Sequence, residues 1–201
     1  MGLNSDIGPV VVGQDLHELS ATKQHKLGAR VVRGDKVYRY AKAGEASISN
    51  ATLTWGSHTQ TISYAAVTTD APAGQAWLDV TVGAADGLAD DGVFAKDDLE
   101  GGSLCIFTDA AVNYILHFDI LGNDALASAG TLRIYIDGTL PIAIDNATAV
   151  VEVMCSPYLD VKTAGNNGGI YPYLGVSMRV ATVAEPYHWI QTWGPCWVAP
   201  A

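Results

Sequence analysis

The chain is poor in several things, and each shortage closes a class of function. Its 201 residues hold only 11 basic side chains against 21 acidic ones, a formal charge of −10. That field repels phosphate backbones, which nucleic-acid binders neutralise with clustered Lys and Arg, so direct nucleic-acid binding is not expected. Charged residues make up only 16%, while hydrophobic ones reach 49%, a balance that excludes a disordered chain. No uninterrupted apolar run approaches the ~20 residues that span a bilayer, and no basic start leads into an apolar segment. A soluble, unprocessed chain with no membrane partner is the expectation.

Cysteine is equally scarce. Cys105, Cys155 and Cys196 are odd in number and far apart, which suits neither a disulfide framework nor a CxxC metal knuckle. Buried, reduced thiols are expected. The five histidines, His17, His25, His58, His117 and His188, form neither HxH nor HExxH, and none lies at zinc spacing from a cysteine. There is no GxGxxG after a strand, no GxxxxGK[ST] and no GxSxG. No cofactor is implied, and the chain reads as a non-enzyme.

What is present is a succession of short β-strands. Twenty-one glycines and eight prolines punctuate the chain, with no βαβ alternation. Alternation predicts strands at Arg30–Val32, Lys36–Tyr40, Ser47–Leu53, Thr59–Val67, Trp77–Val82, Ser103–Thr108, Tyr114–Ile120, Thr131–Ile136, Ala149–Met154, Gly175–Val183 and Trp189–Trp193. In one of them Leu132, Ile134 and Ile136 point one way and Arg133 and Tyr135 the other, as in a sheet with one wet face. Asp137-Gly138 closes that strand with a turn. Only one helix is expected, over Asp15–Gly28, with Asp15 as cap, Glu18 three residues on, Lys26 late and Gly28 closing it. Its apolar stripe, Leu16, Leu19 and Leu27, is too thin to stand alone. The fold class is therefore all-β, a sandwich-like or barrel-like antiparallel domain over residues 29–201. Residues 1–28 are expected to form an extended N-terminal arm with the short helix, and Asn166-Asn167-Gly168-Gly169 a flexible tip.

Few residues suggest chemistry. Arg33-Gly34-Asp35 matches an adhesion tripeptide, but Gly-Asp between two apolar runs is what a hairpin turn needs. The acidic stretch 86–100 is rich in oxygen ligands of the kind Ca²⁺ prefers, yet its acids do not alternate as an EF-hand loop requires, so a solvated loop is expected. His117 and Asp119 would project from one strand face, an arrangement suited to a general base only if a Ser or Cys lay opposite. The C-terminus is the most unusual segment. Tyr187, Trp189, Trp193 and Trp197 concentrate three of the five tryptophans there, and Trp189 and Trp193 would share a face. They are expected to anchor a core or a subunit interface, with a sugar-stacking surface as the rival reading.

Several stretches taken together resemble small virion proteins of tailed bacteriophages. They are Asp15-Leu-His-Glu-Leu-Ser-Ala-Thr22, Gly34-Asp-Lys-Val-Tyr-Arg-Tyr-Ala-Lys-Ala-Gly44, Asp98-Leu-Glu-Gly-Gly102, Leu132 to Pro141, Ser156-Pro-Tyr158 and Trp189-Ile-Gln-Thr-Trp-Gly-Pro-Cys196. The early Gly-Asp-x-Val-Tyr-Arg-Tyr strand and the late Tyr-x-Trp-Ile-Gln ending are similar to capsid decoration, or cement, proteins. That resemblance implies a structural protein made in the host bacterial cytoplasm and carried on the capsid surface of the virion. It implies the major capsid protein as partner and a homo-oligomer, a trimer, as the bound form. On that reading Asp15, Leu16, His17 and Leu19 dock on the capsid, since a half-hydrophobic helix needs a partner groove. The alternative is a receptor-binding or glycan-binding head-fibre or tail module.

Overall fold

The computed structural model describes residues 13–44, 47–56, 61–108, 115–164 and 172–198. Among them are fourteen strands and no helix, hence none long and apolar enough to cross a membrane. The first five are β1 (Arg30–Arg33), β2 (Lys36–Lys42), β3 (Ser47–Ile48), β4 (Leu53–Trp55) and β5 (Ile62–Ala66). Next come β6 (Trp77–Val82), β7 (Ser103–Phe107), β8 (Ile115–Asn123), β9 (Gly130–Ile136) and β10 (Val150–Met154). The last four are β11 (Lys162–Thr163), β12 (Tyr173–Ser177), β13 (Ala181–Thr182) and β14 (Tyr187–Trp193). Every strand pairing is antiparallel. The all-β, antiparallel expectation holds. Thr59, Tyr114, His58, the 166–169 tip and residues 1–12 lie outside the described residues.

The chain forms two compact units, Met1–His58 with Pro157–Ala201, and Thr59–Ser156. In the first, one sheet runs β1-β2-β14-β12-β4-β11, beside the small pair β13-β3. The β1–β2 hairpin turns at Gly34-Asp35 with Arg33 opposite Lys36. Gly34 takes φ +57°, the left-handed value that a two-residue hairpin turn of type II′ requires at its first central position. Ala41, Ala43, Ile48, Val161, Ala181 and Ile190 form one buried cluster. Tyr40 and Trp189 are fully buried beside His25, with ring centroids 5.1 Å apart.

The second unit is one sheet, β5-β10-β7-β8-β9-β6. A bridge between Val67 and Val80 joins the two ends and curls the sheet back on itself. Its inner face carries Leu78, Val80, Leu104, Ile106, Ile120, Leu132, Ile134, Ile136, Val151 and Val153, all buried. The alternation read in Leu132–Ile136 is therefore the inside–outside alternation of this curled sheet. On the outside, Arg133 makes paired bonds of 2.8 and 2.9 Å to Asp79 across the β6–β9 ladder and lies 3.7 Å from the Trp77 ring centre.

The helix expected over Asp15–Gly28 does not form, although its cap does. Glu18 N–H donates to the Asp15 carbonyl, Asp15 N–H to the Glu18 carboxylate, and His17 N–H to the Asp15 carboxylate. That single turn does not propagate, because Ser20 exchanges both backbone bonds with Tyr187 at 3.0 and 3.1 Å. Nucleating a helix costs more than one turn returns, and three leucines give no tertiary reward for extending it. Leu16 and Leu27 instead enter the core, 2% and 6% exposed.

Candidate functional site

The residues singled out at the N-terminus divide by role. Asp15 is exposed and sits 3.5 Å from Arg33, and His17 is exposed. Leu16 is buried, and Leu19 packs half-buried against the Ala41–Ile190 cluster. What fixes this segment is Gln14, which the sequence did not single out. Its Oε1 accepts the Tyr40 hydroxyl at 2.7 Å, its Nε2 donates to the Glu18 and Tyr187 carbonyls at 2.8 and 2.9 Å, and its backbone carbonyl accepts Trp189 Nε1 at 3.3 Å. Burial pushes the Tyr40 hydroxyl pKa up.

The C-terminal aromatics part company. Trp189 is 1% exposed and anchors the core, and Tyr187 stacks half-buried on Tyr40 at 6.0 Å. Trp193 does not share the inward face of Trp189. A register shift between Gln191 and Trp193 in the β2–β14 ladder turns it outward, 73% exposed. One extra residue in a strand reverses the side chains that follow it. Trp197 lies past the strand and is 71% exposed. Of the three free thiols only Cys155 is buried, while Cys196 is exposed on this C-terminal segment and Cys105 is intermediate.

Two adjoining hollows lie in this unit. The first, about 250 Å³, is lined by Lys36, Asn50, Met178, Gln191 and Trp197 among others. The second, about 370 Å³, shares Asn50 and Met178 and adds His17, Arg179 and Val180. Ala51, beside Asn50 and also in the lining of the first, holds φ +56°, a conformation that side-chain-bearing residues rarely adopt.

In the second unit the strand register lays functional groups out in rows on the outer face. Cys105 pairs with Glu152 on one side and with His117 on the other. A thiol thus does lie opposite His117, at 3.2 Å from Nδ1 and 3.3 Å from Nε2. The chemistry is not that of an activated nucleophile. The N–H of one ring nitrogen and the lone pair of the other diverge, so a sulfur nearly equidistant from both nitrogens lies along neither. Burial and then the charge of Glu152 push the thiol pKa up, whereas nucleophilic cysteines need it lowered. The neighbouring row is apolar: Ile115 of β8 faces Phe107 of β7, which faces Val150 of β10, which faces Ala66 of β5. Ile115 is 57% exposed, and Tyr64 and Met154 stand exposed on strands of the same sheet.

In the acidic stretch, carboxylates serve the loop's own backbone: Asp86 accepts from Gly83 N–H, Asp91 from Val93 N–H and Asp98 from Ala95 N–H. Among the described residues no three His, Cys, Asp or Glu side chains converge as a metal site. Arg33 and Asp35 of the tripeptide are exposed on the hairpin turn. A scan against protein-family models, a search of curated proteins and a search of solved structures each return no match.

Proposed function

We propose that this chain is a structural virion protein, a capsid decoration protein that binds the outside of a tailed-phage capsid as a homotrimer and reinforces contacts between major capsid subunits. The observation that carries the reading is the apolar row Ile115–Phe107–Val150–Ala66 across four adjacent strands of the curled sheet. Strands lie ~4.8 Å apart, so the row runs roughly 15 Å. One flank is the polar row His117–Cys105–Glu152. An apolar strip with a polar margin is the anatomy of a protein–protein contact rather than of a substrate cleft. The resemblance of the quoted segments to decoration proteins supports the same reading. An oligomer touching several capsid subunits makes its later contacts at high effective concentration, so modest patches suffice and no cofactor is needed.

The test is copy number on purified capsids beside sedimentation of the free protein. Ile115→Asp, at a position already 57% exposed, spares the fold but places a charge in the strip. The expected result is stoichiometric capsid occupancy for the parent and at least a ~10-fold loss of affinity for the variant, about 1.4 kcal/mol. Absence of the parent protein from purified capsids refutes the decoration reading, and undiminished attachment of Ile115→Asp refutes the strip as its contact.

A further inference from the structure

The hollows beside the C-terminal segment combine features that a docking strip does not need. Trp197 lines the first one with its side chain left 71% exposed. Lys36 and Asn50 contribute a cation and an amide to the same lining. Gln191, 2% exposed, lines it too. Its Nε2 is committed to the carbonyls of Trp193, Gly194 and Pro195 at 3.1, 3.1 and 3.0 Å, while its buried Oε1 has no donor. Those three bonds hold the 193–195 backbone and so fix the chain that leads to Trp197.

We propose that the two hollows form a saccharide-binding groove. One sugar ring lays its C–H face on the Trp197 indole, with the Asn50 amide and the Lys36 ammonium as hydrogen-bond partners for its hydroxyls. The next ring continues past Asn50 and Met178 into the second hollow, where His17 and Arg179 supply further donors. The volumes, about 250 and 370 Å³, lie just below and near the lower end of the ~300–1,000 Å³ range of drug-sized pockets, room for about one ring each. A polyanion such as nucleic acid is disfavoured, since Lys36 and Arg179 stand in a chain of net charge −10. A sugar matches the mixture better: hydroxyls that both donate and accept, and an apolar ring face for stacking.

The test applies the full-length protein to an array of neutral and acidic oligosaccharides, then measures the best binder by titration calorimetry. The two kinds of sugar in the array decide whether Lys36 selects a carboxylate-bearing ring. The expected dissociation constant lies between ~1 mM and ~1 μM. Trp197→Ala and Asn50→Ala, both at exposed positions, should each weaken binding ~10-fold or more, and Trp193→Ala, exposed but outside the lining, should stay within ~2-fold. Circular dichroism and urea midpoints confirm that each variant folds as the parent does. No binding of any oligosaccharide at ~10 mM, or equal losses for Trp193→Ala and Trp197→Ala, overturns the proposal. The groove does not depend on the capsid reading: sugar binding without capsid occupancy refutes only the latter, and capsid occupancy without sugar binding refutes only the groove.

Discussion

His188 shows how one residue couples the first unit to pH. It is fully buried on β14, between Tyr187 and Trp189, and its Nδ1 lies 3.0 Å from the Pro186 carbonyl. A carbonyl oxygen only accepts, so Nδ1 carries the proton and Nε2 is left as a buried lone pair with no partner. Burial holds the imidazole pKa below its usual value, and the Pro186 bond opposes the shift only in part. The unfolded chain therefore takes up a proton near pH ~6.5, before the folded one does. Stability from this group is full above that pH and falls as pH drops toward the lower folded value, by at most about 1.4 kcal/mol per pH unit. The urea midpoint should fall between pH 7.5 and 5, and fall less in His188→Asn, which keeps a donor for Pro186. Parallel midpoint curves for the two proteins would show that His188 is not the titrating group. Other side chains were harder to foresee. That Cys105 faces His117 depends on the β7–β8 register, which hydrophobic alternation fixes in parity but not in offset.

At the scale of elements, alternation was a sound guide wherever one face met a core. Nine strands expected from pattern coincide in type and place with β1, β2, β5 to β10 and β14, the strand expected over Ser47–Leu53 resolves into β3 and the first residue of β4, and the Gly34-Asp35 turn follows from its glycine. Gly175–Val183 resolves into β12 and β13 with Met178-Arg179-Val180 between them. The two-residue strand β11 was missed, being too short to show any period. The helix over Asp15–Gly28 failed for a related reason: caps are local and legible, whereas the backbone pairing of Ser20 with Tyr187 is contributed by the far end of the chain. This pairing has a measurable consequence. Removing residues 1–28 takes away Leu16, Leu27 and Gln14, exposing apolar surface and leaving the buried Tyr40 hydroxyl without its acceptor. Each buried leucine is worth ~2–5 kcal/mol and the orphaned hydroxyl ~1–3 kcal/mol, together comparable with the whole stability of a domain. The truncated chain should lose the cooperative unfolding of its first unit, seen as loss of the near-ultraviolet signal of Trp189 and Tyr40. A truncated protein with the parent's urea midpoint would show that residues 13–28 are a removable arm after all.

At the scale of the whole molecule, the two units differ in how the chain supplies them. The first is assembled from both ends of the sequence, whereas the second is one continuous stretch, Thr59–Ser156. Antiparallel strands follow one another on both sides of each crossing, so alternation alone could not mark where the chain leaves one unit and returns. The geometry of the crossings is nonetheless informative. Within the second unit, Thr61 N–H donates to the Val153 carbonyl at 2.8 Å, and the Thr61 hydroxyl accepts Cys155 N–H at 2.9 Å. Its entry and exit strands are thus held together. Within the first unit, Gly56 approaches the Pro157 carbonyl so closely that a Cβ there would collide with it. Adjacent ends on both sides of a crossing are what allow one domain to be inserted into another. The second unit also owns a complete core, since the inward residues of β5 to β10 pack on one another inside the curled sheet. Residues 61–156 produced alone should therefore fold, with dispersed amide resonances and a cooperative urea transition of roughly 5 kcal/mol or more. The complementary chain, residues 1–56 joined to 157–201 through a short glycine linker, should fold likewise and keep Trp189 buried. Random-coil amide shifts for the 61–156 fragment, in a buffer where the full chain is folded, would mean that the curled sheet draws its stability from outside itself, and the insertion account would fall.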